Sequence, residues 1–120
     1  KIKFKACDFR DIEKIDISKK DFIYLDPPYL LGLASYNESG GWTEKDENDL
    51  YNLLTSLHKK GARFALSNVL THKGKTNKIM KGWAKRNGFQ VNKLNYNYKN
   101  SNYQSTAKNN QTIEVLITNY

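Results

Sequence analysis

The stretch Phe22-Ile23-Tyr24-Leu25-Asp26-Pro27-Pro28-Tyr29 decides how the rest of the 120-residue chain is read. Its first four residues are an unbroken apolar run, which predicts a strand buried on both faces of a parallel sheet. Asp26 and two prolines end that strand, and an aromatic ring follows. Pro27 and Pro28 set two successive φ angles and bias the residues before them to extended conformations, so the carbonyls and side chains of the loop are held in set directions. A carboxylate, a ring and a stiff backbone at a strand exit are material for a pocket. The same spelling also fits an ordinary proline-rich strand exit, so its surroundings decide.

On the N-terminal side, Ile2 and Phe4 alternate with Lys1, Lys3 and Lys5. This predicts a short first strand with one buried face, running into Cys7-Asp8-Phe9. Residues 10–20 carry mixed charge with Ile12, Ile15 and Ile17, and read as a short helical turn and a linker. On the C-terminal side, Leu30 to Trp42 holds Gly32, Gly40 and Gly41 and predicts a long loop, of a length that is usually functional or disordered. Thr43 with Asp46 three residues on predicts a helix start with a capping box. Leu50, Leu53, Leu54 and Leu57 form one apolar face of that helix, which His58-Lys59-Lys60 and Gly61 close.

A third strand is expected over Arg63 to Leu66, with Ser67-Asn68 at its exit and a basic loop through Thr71 to Lys75. Ile79, Met80, Trp83 and Ala84 predict a second amphipathic helix that stops near Gly88. Phe89, Val91, Leu94 and Tyr96 suggest a fourth strand, Asn97 to Asn110 an exposed loop, and Thr112 to Thr118 a closing strand. The order β-β-α-β-α-β-β describes one α/β unit with parallel strands early and a hairpin-like pair at the end.

Composition narrows the partners. Twenty basic residues against 12 acidic ones give +8, which suits a polyanion such as nucleic acid. A mean hydropathy of −0.78 is on the polar side for such a unit, as expected if part of the core lies elsewhere. Cys7 is the single cysteine, so no internal disulfide forms, and His58 and His72 stand apart without metal spacing. No apolar run approaches membrane length and no signal segment opens the chain, so a cytoplasmic protein without metal is expected.

Ligands of open α/β sheets collect beyond the carboxyl ends of the strands. Asp8-Phe9, Asp26 to Tyr29 and Ser67-Asn68 all stand at expected strand exits, which makes them one candidate site. Asn68, Lys73, Lys75, Lys99 and Lys108, with Tyr98 and Tyr103 interleaved, are candidates for contact with nucleic acid. Each has a plainer reading: Asp8 as a cap, Ser67-Asn68 as a turn, the lysines as solvated surface.

With Phe4-x-x-x-Asp8-Phe9, the Asp26-Pro27-Pro28-Tyr29 tetrapeptide, Leu66-Ser67-Asn68 and Glu114-Val115-Leu116-Ile117-x-Asn119-Tyr120 in this order, the chain resembles the Dam-type DNA adenine-N6 methyltransferases. The resemblance implies the C-terminal portion of a class I, Rossmann-like methyltransferase sheet, mostly parallel with an antiparallel C-terminal strand pair. It implies S-adenosylmethionine as methyl donor and double-stranded DNA as substrate, with the target adenine flipped out of the helix. Asp26, Pro27, Pro28 and Tyr29 would be catalytic, and Asp8, Phe9 and Asp26 would lie at the cofactor. Guanine-N2 methylation of ribosomal RNA is a second enzyme reading, since some of those enzymes also carry Asp-Pro-Pro-Tyr. A non-catalytic nucleic-acid-binding fragment is a third. Cytosine-N4 enzymes usually have Ser in place of Asp26, and Lys5-Ala6-Cys7 is not the Pro-Cys loop of the cytosine-C5 enzymes.

One family feature is absent. No F-x-G-x-G-like loop follows a strand and opens a helix, so the principal cradle for the donor's methionine end is expected outside these residues. The family places that loop and the target-recognition segment before the part matched here. Residues 1–120 are therefore expected to be a partial domain that needs the missing half of the same protein, or another chain, to complete the sheet.

Overall fold

The computed structural model describes residues 1–31, 41–94 and 111–120. Thr43 opens the first α-helix, α1 (Glu44–Lys59), through the full capping box: its hydroxyl accepts from the Asp46 backbone N–H while the Asp46 carboxylate accepts from that of Thr43. The expected leucines, Leu50, Leu53, Leu54 and Leu57, are all buried. Beyond the helix Gly61 takes φ +86°, a conformation that L side chains avoid. It lets the backbone turn directly into the sheet.

The sheet is built on β2 (Arg63–His72). Its first half pairs in parallel with β1 (Phe22–Leu25), from Phe22 opposite Arg63 to Leu25 opposite Leu66. Its other edge pairs antiparallel with β5 (Thr112–Thr118), from Ala65 opposite Thr118 to His72 opposite Thr112. β4 (Gln90–Leu94) pairs antiparallel with β5. The order is β1-β2-β5-β4, so β1, β2 and β4 run one way and β5 is reversed. This is the mixed α/β arrangement expected of a methyltransferase fragment. The side chain of Asn119 then turns back to β2, accepting from the Phe64 N–H at 2.8 Å and donating to the Ala62 carbonyl at 2.8 Å.

Three expectations are corrected. β2 is ten residues long and continues through Ser67 and Asn68, because β5 supplies a hydrogen-bonding edge along nearly its whole length. The basic segment after it is a hairpin: His72 pairs with Lys75 in the short strand β3 (Lys75–Thr76), and Lys73 and Gly74 turn with φ 49° and 78°. Two positive φ values in a two-residue loop match the right-handed twist of the paired strands. Finally, residues 1–8 form no strand and pair with none among the described residues, with Ile2 82% and Phe4 93% exposed, so no buried face rewards the expected alternation.

Burial along β1 alternates as well. Leu25 is buried and Ile23 packs on the core, while Phe22 and Tyr24 are 52% and 61% exposed. The expectation of two covered faces fails because the core residues of both described helices meet one face, that of Leu25, Phe64, Leu66, Val115 and Ile117. The second helix, α2 (Lys78–Asn87), begins at Asn77, whose side chain accepts from the Met80 N–H, and ends at Gly88 with φ 68°. It brings Met80, Trp83 and Ala84 to the same core. Tyr96 and Asn97 to Asn110 lie outside the described residues. Among the described residues no helix is long and apolar enough to cross a membrane.

Leu54 of α1 and Leu66 of β2 are both fully buried in this core. Leu54→Ala is expected to lower stability by about 3 kcal/mol, read as a shift in the urea midpoint of the full-length protein.

Candidate functional site

Asp26 to Tyr29 leave the carboxyl end of β1, where a parallel strand delivers its polar groups to the end of the sheet. Asp26 is exposed, and the Tyr29 hydroxyl stands 3.4 Å from its Oδ1. Partial burial raises the Tyr29 phenol above its ordinary value. Hydrogen bonding with Ser67 acts against that rise, and the charges of Asp26 and Glu114 add to it. Ser67 thus bonds to Tyr29 from within β2, not from a strand exit, and the charge of Glu114 acts from β5.

Asp8 and Phe9 are placed by a different set of contacts. Asp8 caps the 3₁₀ helix Phe9–Lys14, its carboxylate accepting from the Arg10 N–H at 2.9 Å and from the Arg10 guanidinium at 3.2 Å. The same guanidinium reaches Asp46 at 2.7 Å and Asp49 at 2.8 Å and lies 4.4 Å from the centre of the Phe9 ring. Phe9 in turn packs against Trp42, with ring centroids 5.5 Å apart. One arginine therefore fastens Asp8-Phe9 to the first turns of α1. No hydrogen bond joins this group to Asp26 or Tyr29 among the described residues.

Asn68 departs from its expected place among nucleic-acid contacts, because it is fully buried. On β2 it shares the inward face with Leu66, and its amide donates to Glu47 Oε1 at 3.1 Å and to the Tyr51 hydroxyl at 3.3 Å. Glu47 also accepts from the Trp42 indole N–H, the Tyr51 hydroxyl and, at 3.1 Å, the Asn77 amide. Burial and the charge of Glu47 push the Tyr51 phenol far above its ordinary value, so it stays a donor. Sequence reading missed this cluster. The signal was Glu47 itself, which stands three, four and seven residues before Leu50, Tyr51 and Leu54 on the apolar stripe of α1.

Of the other candidates, Lys73 and Lys75 are exposed on the hairpin, where the tight turn projects them from the sheet. Lys99 and Lys108 lie outside the described residues. Cys7 is a free, exposed thiol, and no group of His, Cys, Asp and Glu suited to a metal occurs among the described residues. A cleft of about 490 Å³ opens between the N-termini of α1 and α2, with Leu30, Leu31, Trp42 and Asn77 among its walls.

Residues 1–100 match the model of the D12 class N6 adenine-specific DNA methyltransferases. The chain belongs to this family. Among its relatives, modification methylase StsI of Streptococcus sanguinis is 46% identical over 116 residues, covering 93% of this chain and 18% of the relative. Type II methyltransferase M.FokI of Planomicrobium okeanokoites is 37% identical over 123 residues, covering 99% and 18%. Modification methylase LlaI of Lactococcus lactis subsp. lactis is 40% identical over 101 residues, covering 81% and 15%. This D12 chain thus spans less than a fifth of the length of these curated relatives.

The Arg10 clamp carries a pH signature. Hydrogen bonds from Arg10, then from Thr43, hold the Asp46 carboxyl down at about 2 against its ordinary 3.8. A depressed folded value stabilises the fold above about pH 4, and that contribution disappears as the pH falls toward 2. Acid titration of stability is expected to be steep over this window, and Arg10→Ala should flatten it, as followed by thermal melts between pH 5 and 2.

Proposed function

We propose that the parent protein is a site-specific DNA adenine-N6 methyltransferase of a restriction-modification system, and that residues 1–120 supply the part of its site that prepares the amine. The observation that carries this reading is the exposed Asp26 carboxylate at the end of β1 with the Tyr29 ring beside it, on a chain of the D12 family. The names of the similar modification methylases support the restriction-modification setting.

An exocyclic adenine amine is a weak nucleophile because its lone pair is delocalised into the ring. Asp26 accepts one amino hydrogen and the Pro27 carbonyl the other, which favours a tetrahedral nitrogen with a localised lone pair. Pro27 and Pro28 keep these acceptors in place, so little reorganisation is needed as charge develops. Tyr29 stacks on the flipped base, an interaction of roughly 1–3 kcal/mol by the measure of other base-stacking platforms. Lys73 and Lys75, on the hairpin, with Lys99 and Lys108, meet backbone phosphates.

The residues present fit S-adenosylmethionine as methyl donor: Asp26 is an exposed carboxylate suited to its amino or cationic groups, Phe9 is a half-buried aromatic surface suited to its adenine, and Asp8, held by Arg10, stands exposed beside Phe9. When bound, it supplies an electrophilic methyl group. Its principal cradle and the target-recognition segment lie, in this reading, in the remainder of the parent protein, consistent with the 18% coverage of StsI and M.FokI. The residues that read the DNA sequence belong there too.

Nucleosides from DNA treated with the full-length protein and methyl donor are expected to contain N6-methyladenine by mass spectrometry. Asp26→Ala should lower kcat at least on the order of 100-fold while DNA binding persists. Another methylated base as product, or undiminished activity in the variant, would reject the reading. The partial-domain proposal has its own test in calorimetry, where residues 1–120 alone should show no micromolar affinity for S-adenosylmethionine and the full-length protein should.

A further inference from the structure

The buried cluster around Glu47 has no part in polarising the amine, yet it meets the surface at the cleft between the two helix N-termini. Two of the groups that donate to Glu47, Trp42 and Asn77, are walls of that cleft. Leu30 and Leu31 are further walls, and they follow Tyr29 directly in the chain. The cleft is thus continuous with the Asp26–Tyr29 loop on one side and anchored to Glu47 on the other.

Glu47 is 0% exposed and has no cation among its partners in the described residues. Its four donors come from four places: Trp42 before α1, Tyr51 within it, Asn68 on β2 and Asn77 at the start of α2. An indole N–H and two amide NH₂ groups only donate, so the cluster needs an acceptor with both oxygens available. Asn77 is fixed further, accepting from the Met80 N–H at 3.0 Å and donating its own N–H to the Leu70 carbonyl at 2.8 Å. Both walls therefore keep one position.

We propose that Glu47 is a positioning residue that holds Trp42 and Asn77 as walls of a subsite for a nucleobase of the DNA substrate, next to the methyl-transfer site. This rests on the function proposed above. The chemistry of the cleft fits that ligand: the Trp42 indole with Leu30, Leu31 and Ile79 suits a planar apolar face, and Thr43, Thr76 and Lys78 bring polar and cationic groups to a base edge or its phosphate. Glu47 touches no substrate and acts only through its partners.

Steady-state methylation by the full-length protein, with DNA and methyl donor varied separately, tests this in Glu47→Gln and Trp42→Phe. The first keeps the shape of the side chain but replaces an acceptor oxygen by a donor. The second keeps a ring and removes the N–H that Glu47 accepts. Both are expected to raise KM for DNA about tenfold, with KM for the methyl donor within about twofold of wild type. A purely structural role would lower the active fraction, and so apparent kcat, without moving either KM. That result overturns the proposal, as does an equal rise in both constants. If Glu47→Gln fails to fold, Trp42→Phe alone decides. A wild type that makes no N6-methyladenine overturns the proposed function and this subsite together. An active wild type with an unmoved DNA KM in Trp42→Phe overturns the subsite alone.

Discussion

One buried carboxylate, whose partners among the described residues are all neutral, ties α1, β2 and the start of α2 together. Glu47 is buried among neutral donors from the loop before α1, from α1, from β2 and from the start of α2. A buried carboxylate is tolerated only where hydrogen bonds replace water, and leaving a buried donor or acceptor of this kind unsatisfied costs about 1–3 kcal/mol. If α1 moves, the donors of the other segments lose an acceptor that nothing apolar can replace, and a segment that moves alone strands its own donor, so the cluster favours one relative placement of α1, α2 and β2.

Around that centre the two described helices pack on the same face of the sheet. Aliphatic and aromatic side chains of α1 and α2 fill one face of the sheet, with Tyr51 stacked on Trp83 at 4.4 Å and Phe89 against Phe64 at 5.3 Å. β1 stands at the sheet's edge with Phe22 and Tyr24 exposed. Asp8 and Phe9, without a strand behind them, are held by Arg10 and its three carboxylates. Exposed ion pairs contribute little singly, but a guanidinium shared among three partners, with Phe9 against Trp42, gives the segment one direction.

Much of this was legible. The capping box at Thr43 and the leucine stripe of α1 depend on local spacing, and both appear as read. The bounds of β5 were legible for the same reason, as an apolar run between polar residues. Where β2 ends was not legible, because the polar spelling Ser67-Asn68 looks like a turn unless β5 is known to lie beside it. Asn68 was misplaced for the same reason. An asparagine is a surface residue by default, and only the convergence of Glu47 and Tyr51 makes a buried place possible for it.

Sequence alone was enough to point to the family, since the Asp26-Pro27-Pro28-Tyr29 tetrapeptide and its companion motifs are spelled within short stretches of chain. Tertiary structure decided which distant groups surround that loop. Ser67 bonds to Tyr29 from β2 while the charge of Glu114 acts on it from β5, and Glu47 gathers donors that span Trp42 to Asn77. The reason is physical: backbone bias and helical period act over a few neighbours, whereas a buried hydrogen bond is satisfied only when the whole chain has brought both partners together.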